Sequence, residues 1–125
     1  MSEVNTCVIG IGSNIRPEEN IREALRILEE EQTLLSVSAM VQTEPIGVEE
    51  QPSFINGAVK VSTSMNQEEF SAYLKKIEDR LKRDRTQPRF GPRTIDLDVV
   101  VWNGKVVDRD YYTREFLKNA VDEVL

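Results

Sequence analysis

The 125-residue chain contains no histidine. That absence excludes Ser-His-Asp hydrolysis, Cys-His nucleophilic chemistry and His-ligated zinc. Any general-base work must fall to a carboxylate, a lysine, a tyrosine or water. Cysteine occurs once, as Cys7, so no disulfide can close within the chain. Cys7 lies in an apolar run and reads as a small core residue, which suits a reducing cytoplasm. No apolar stretch approaches the roughly 18–20 residues that cross a bilayer. The start, MSEVNTCVIGIGSN, lacks the basic region and cleavage site of a signal peptide. A cytoplasmic location with no membrane partner is therefore expected. There is no GxxxxGK[ST], which excludes a P-loop, and GIGSN is too short for a dinucleotide fingerprint. It reads as a strand-to-helix turn.

What is present suits one globular domain over residues 1–125, with 39% hydrophobic residues to build a core and 30% charged residues to solvate it. The net charge of −6 is unevenly spread. Residues 75–93 hold eight Lys/Arg against three acids, so this segment is +5 and the remainder −11. An acidic chain with one basic segment is poorly suited to general nucleic-acid binding. It suits a small polyanion such as a nucleotide, although a solvated basic helix face would look the same on charge alone.

Periodicity divides the chain into elements. Residues 6–11, TCVIGI, read as a buried strand punctuated by Gly10, Gly12, Ser13 and Asn14. Pro17 suits the first position of a helix running to about Glu31, with Ile21, Ala24, Leu25 and Leu28 as its apolar stripe. Residues 35–43 and 54–62 read as two antiparallel strands joined by the loop 44–53. Asn66 and Glu69 form a capping box for a second helix ending near Arg83, with Phe70, Leu74, Ile77 and Leu81 turned inward. After the loop 84–94, residues 95–102 read as a strand. Asn103-Gly104 then signals a hairpin to a short strand at 105–108. Residues 110–124 close the chain as a helix whose apolar face, Phe116, Leu117, Ala120, Val121 and Val124, is either core or a dimer surface. The order is the ferredoxin-like β-α-β-β-α-β sandwich of the α+β class, with a C-terminal hairpin strand and helix. It is expected to bury one sheet face under two helices. Such a fold hosts many functions and names none.

The chemistry concentrates in one stretch, FGPRTIDLD, residues 90–98. Strands disfavour Asp, yet Asp96 and Asp98 sit two apart in one. The strand period turns both to the same face, with Ile95, Leu97, Val99 and Val101 on the other. Their Cβ atoms are then roughly 6–7 Å apart, a spacing at which two carboxylates converge on one or two divalent cations. Few hard-oxygen ligands suit Mg²⁺ that also bridges to phosphates. Arg83, Arg85, Arg89 and Arg93 lie on or beside the preceding loop, and arginine offers forked donors to phosphate oxygens. Acids for metal beside arginines for phosphate are the parts of phosphoryl transfer from a nucleotide.

This stretch resembles the signature of the hydroxymethyl-dihydropterin pyrophosphokinase family (2-amino-4-hydroxy-6-hydroxymethyldihydropteridine diphosphokinases). IGIGSN, QTEPIG and QPSFINGAV agree with it in order and spacing, and the similarity covers roughly residues 5–108. The resemblance implies transfer of pyrophosphate from ATP, as co-substrate, to the hydroxymethyl group of 6-hydroxymethyl-7,8-dihydropterin in folate biosynthesis, releasing AMP. It implies two Mg²⁺ ions on Asp96 and Asp98, with Arg85 and Arg93 completing the catalytic set. Asp96 would also help to deprotonate the pterin hydroxyl. ATP would be held by Lys75, Glu78, Arg85, Arg89, Phe90, Arg93 and Val99. The pterin would be held by Thr43, Glu44, Pro45, Ile46, Phe54, Asn56 and Phe90. Among these, Phe54 would stack and Asn56 would pair with the ring edge, where an amide can both donate and accept. Read by itself, Phe54 is equally a core strand residue.

The chain also departs from the family pattern. Lys75 stands where Gln is frequent, and Phe90 where Trp is frequent. Longer members continue past the hairpin with a proline- and histidine-containing segment, then an arginine and an aromatic that close the site. Here the sequence reads DRDYYTREFLKNAVDEVL, and Arg109, Tyr111, Tyr112 and Arg114 are the candidates for that work. Three readings follow: a pyrophosphokinase acting on small molecules as monomer or homodimer, a pterin- or nucleotide-binding module with weak or no catalysis, and a structural protein. Only the last offers no reason for the Asp and Arg arrangement.

Overall fold

The computed structural model describes residues 4–45, 50–83, 86 and 94–125. The element order is β1 (Asn5–Ser13), α1 (Pro17–Glu31), β2 (Thr33–Val37), β3 (Val41–Thr43), β4 (Phe54–Thr63), α2 (Gln67–Arg80), β5 (Asp96–Trp102), β6 (Lys105–Val106), α3 (Asp110–Thr113) and α4 (Glu115–Val124). The strands form one antiparallel sheet in the order β2-β4-β1-β5-β6, with β3 also pairing with β4. The α+β, ferredoxin-like arrangement expected from the sequence is the one found.

Local chemistry accounts for most boundaries. The Asn66 carboxamide oxygen accepts the Glu69 N–H at 2.8 Å, and the Asn66 N–H donates to the Glu69 carboxylate at 3.1 Å, which starts α2. That helix ends in a Schellman arrangement. Lys82 takes a left-handed φ of 63°, the Lys82 N–H reaches the Asp79 carbonyl and the Arg83 N–H returns to the Glu78 carbonyl. Asn103 and Gly104, at φ 48° and 83°, make the hairpin turn between β5 and β6.

Several expectations are corrected. The predicted strand 35–43 is two strands. Between them the Ser38 N–H still donates to the Ala58 carbonyl, but the Ser38 hydroxyl accepts the Ala58 N–H and the Glu123 carboxylate on α4 accepts the Ala39 N–H, so side chains take over part of the ladder there. β1 does not stop before Gly12 but runs through Ser13. The predicted final helix breaks at Arg114 into α3 and α4. The sheet is covered on both faces, not one. Cys7, Ile9, Ile11, Leu97 and Ile95 pack with α1 and α2, while Val8, Ala58, Val100 and Val101 pack with Ala120, Val121 and Val124 of α4. The apolar face of α4 is therefore core. Val101 belongs to this second layer because β5 carries a bulge: Val8 pairs with Val101 but Ile9 with Val99, so strict alternation fails at the extra residue Val100. Cys7 is buried as expected, and burial pushes its thiol up to about 12.

Candidate active site

The central strand β1 supplies the floor of the site. Ile9 and Ile11 face the α1/α2 core, which turns Gly10 and Gly12 to the opposite face. The sheet register sets Gly10 between Ala58 and Asp98, and Gly12 between Asn56 and Asp96. A Cβ on Gly12 would collide with the Asn56 Oδ1, and one on Gly10 would lie 3.1 Å from Leu117 Cδ1. The two glycines therefore work as a bare floor that admits the Asn56 side chain and the close approach of α4. Reading GIG as turn punctuation missed this. The signal was available in the sequence, since Gly10 and Gly12 lie two apart and so share one face of a strand.

Ser13 and Asn14, at the end of the same strand, are buried polar residues that anchor two connections. The Ser13 hydroxyl donates to the Thr94 carbonyl at 2.6 Å. The Asn14 amide donates to the Gln51 side-chain oxygen at 2.8 Å and to the Pro52 carbonyl at 3.1 Å. One strand end thereby ties down the downstream ends of the connections 44–53 and 84–94.

A cleft of about 360 Å³ opens over the glycine floor. Thr43, Glu44, Phe54 and Asn56 line it from β3, the residue after it and β4, and Arg114, Phe116 and Leu117 line it from the start of α4. The Asn56 amide donates to the Thr43 hydroxyl, and its carbonyl oxygen lies against Gly12. Phe54 is half-buried and borders the cleft, so it is not a fully buried core residue. The sequence pattern puts Phe116 on the apolar face of the last helix. Its helical phase turns it to the cleft instead, where it gives a second aromatic wall. Pro45 is half-buried and lies outside the cleft lining.

A second cavity of about 660 Å³ lies on the other side of β5. Gln67, Ser71, Lys75 and Glu78 on α2 border it, together with Arg83, Val99 and Arg109. Lys75 is exposed there, whereas Glu78 is 2% exposed. The Glu78 carboxylate accepts the Leu97 N–H at 2.8 Å and the Arg83 Nη1 at 2.6 Å, so it fastens α2 to the start of β5. The two cavities share Asp96, Asp98 and Asp108. Ile46, Arg85, Arg89, Phe90 and Arg93 lie outside the described residues.

The acids set the electrostatics of this junction. Asp98 is exposed where it lines the two cavities, yet their walls desolvate it. That desolvation, with the charges of Asp96, Glu78 and Asp108, pushes its carboxyl up to about 7. Three neighbouring acids bear on Asp98, and the donors are hard carboxylate oxygens, so Asp96 and Asp98 fit Mg²⁺. Among the described residues no group of three or more acids, cysteines or histidines forms a protein-only metal cage. Asp108, from the turn after β6, joined the site unforeseen, because nothing local in the sequence shows that the hairpin brings it back beside Asp98.

Known proteins narrow the chemistry. A family model described as 7,8-dihydro-6-hydroxymethylpterin-pyrophosphokinase (HPPK) matches residues 8–125. The chain is 37% identical over 109 residues to the 2-amino-4-hydroxy-6-hydroxymethyldihydropteridine pyrophosphokinase of Bacillus subtilis, covering 85% of this chain and 65% of that protein. It is 34% identical over 104 residues to the enzyme of the same name from Pseudomonas aeruginosa, covering 80% and 63%. It is 36% identical over 97 residues to a folate synthesis bifunctional protein of Arabidopsis thaliana, covering 76% and 20%. The chain thus spans less than two thirds of the length of each of these relatives. No described helix is long and apolar enough to cross a membrane. With the signature aspartates at the meeting point of two cavities and the family model matched over residues 8–125, the chain belongs to the 7,8-dihydro-6-hydroxymethylpterin-pyrophosphokinase family.

Proposed function

We propose that this chain, as one domain over residues 1–125, transfers pyrophosphate from ATP to the hydroxymethyl group of 6-hydroxymethyl-7,8-dihydropterin, giving the pterin diphosphate and AMP for folate biosynthesis in the cytoplasm. The observation that carries this reading is that two cavities of different lining meet at one pair of carboxylates. The smaller cleft, with Phe54 and Phe116 on its walls and Asn56 at its floor, suits a flat heterocycle with donor and acceptor edges. The larger cavity, with Lys75, Arg83 and Arg109 on its border, suits a nucleotide and its phosphates.

Asp96 and Asp98 would hold two Mg²⁺ ions, which supply neutralisation of phosphate charge when bound. The chain's own part is placement. The aromatic walls and Asn56 orient the pterin so that its hydroxymethyl oxygen faces the junction. That oxygen attacks the β-phosphorus of ATP, the bond to the AMP oxygen breaks, and the hydroxyl proton passes to Asp96. Arg85 and Arg93 are assigned to phosphate charge, and Arg89 and Phe90 to the nucleotide and the pterin, by the family signature. Thr43, Glu44, Pro45 and Ile46 are assigned to the pterin, and Glu78 and Val99 to the nucleotide side, on the same ground. Positioning supplies much of the rate in such transfers.

AMP formation from Mg-ATP, measured with and without the reduced hydroxymethyl-pterin, tests the proposal. Pterin-dependent AMP is expected, and it should vanish in Asp96→Ala and Asp98→Ala. Pterin binding without AMP would replace this reading by a binding module, and binding of neither ligand would leave only a structural role.

A further inference from the structure

The side chain of Arg83 reaches two acids with one nitrogen. Its Nη1 donates to Glu78 Oε2 at 2.6 Å and to Asp96 Oδ1 at 3.1 Å. The group is 12% exposed, against 3% for the Glu78 side chain and 42% for that of Asp96. Its placement is built into the backbone, because left-handed Lys82 turns the chain at the end of α2 and the Arg83 N–H bonds back to the Glu78 carbonyl. The Arg83 Nε, however, is buried and has no hydrogen-bond partner among the described residues. A guanidinium normally meets a carboxylate with two parallel donors. Here it gives up that fork and leaves a donor desolvated in order to touch Asp96. Among the described residues no comparable ion pair reaches Asp98.

We propose that Arg83 is the resident counter-ion of Asp96 in the metal-free protein, and that a divalent cation arriving at Asp96 displaces it onto Glu78 alone. The proposal rests on the assignment of Asp96 and Asp98 to Mg²⁺. Glu78 acts as the second berth: its carboxylate is fixed by the Leu97 N–H at 2.8 Å, so it stays in place while Asp96 changes partner. Once Asp96 is released, the guanidinium can turn its Nε and an Nη together toward Glu78, which satisfies the orphaned donor. Arg83 is in this sense a positioning residue. It offsets part of the charge on Asp96 before metal arrives, and it makes cation binding compete with an internal charge.

Two measurements test this on the nucleotide-free protein. In the first, Mn²⁺ binding is followed by electron paramagnetic resonance. Removing the competing charge in Arg83→Gln should tighten Mn²⁺ roughly tenfold, as expected for a unit charge a few ångströms from the ion in a partly screened site. Arg83→Lys should stay near wild type. Unchanged or weaker Mn²⁺ binding in a folded Arg83→Gln protein overturns the proposal. The second needs no change at Arg83. In arginine side-chain NMR of the wild type, the Arg83 Nε–H signal should move downfield as Mg²⁺ saturates, and Asp96→Asn should produce the same move without metal. A signal indifferent to both refutes the exchange. Pterin-dependent AMP formation is scored separately, so a failed exchange and a failed assignment of the reaction remain distinguishable.

Discussion

Replacing Glu78 separates a structural keystone from a ligand contact. A residue that only touched ATP would alter nucleotide affinity and leave the ligand-free protein as stable as before. Glu78 is 2% exposed and accepts both the Leu97 N–H and the Arg83 guanidinium. In Glu78→Ala the Leu97 N–H loses its acceptor inside the core, at a cost of about 1–3 kcal/mol. Removing one member of a buried ion pair costs about 3–5 kcal/mol in total, and since Arg83 keeps Asp96 the lower end applies, about 3 kcal/mol. For a chain of this length that is a fall in Tm of about 10–15 °C. Glu78→Gln retains an oxygen for the Leu97 N–H and loses only the charge, so about 1–2 kcal/mol and about 5 °C are expected. Thermal and urea unfolding of the ligand-free proteins, followed by circular dichroism, gives both numbers. If Glu78→Ala lies within about 1 kcal/mol of wild type, or if Ala and Gln behave alike, the keystone assignment is wrong.

Two further outcomes follow from the site. The folded-state carboxyl of Asp98 lies near 7, above its ordinary 3.8, so the folded state holds a proton there that the unfolded chain has released. Its contribution to stability is present at acid pH and is lost as pH rises through about 7. Asp98→Asn should therefore gain stability over wild type at pH 8 but hardly at pH 4, as read by urea midpoints. A difference that does not vary with pH would sink this account. Gly12→Ala should displace the Asn56 side chain and weaken pterin binding roughly tenfold or more, with a smaller effect on ATP, because the collision is on the floor of the pterin-side cleft. Isothermal titration with each ligand decides it, and equal losses for both would contradict the assignment of the two cavities.

Where side-chain chemistry is local, the sequence alone was sufficient. The Asn66–Glu69 capping box, Pro17 at the head of α1 and the Asn103-Gly104 turn were legible because each involves neighbours along the chain. The Asp96/Asp98 pair was legible because strand period is a property of the backbone. The tertiary structure decided what depends on residues far apart in sequence. Gly10 and Gly12 became a floor only because β4 and β5 flank β1 with Asn56, Asp96 and Asp98. Ser13 and Asn14 became anchors only once the segments at Thr94 and Gln51–Pro52 arrived beside them. The Val100 bulge moved Val101 to the other layer because α4 offered a second core, which no period-two rule could foresee. Glu78 sits on a helix that reads as basic from its sequence, yet it is a buried clamp that also borders the larger cavity, since burial depends on what packs against a helix as well as on its own sequence. The sequence determined which chemical groups the protein owns and their local backbone geometry. The fold decided which of them share a cavity, which are desolvated and which are already paired, because those are properties of long-range packing.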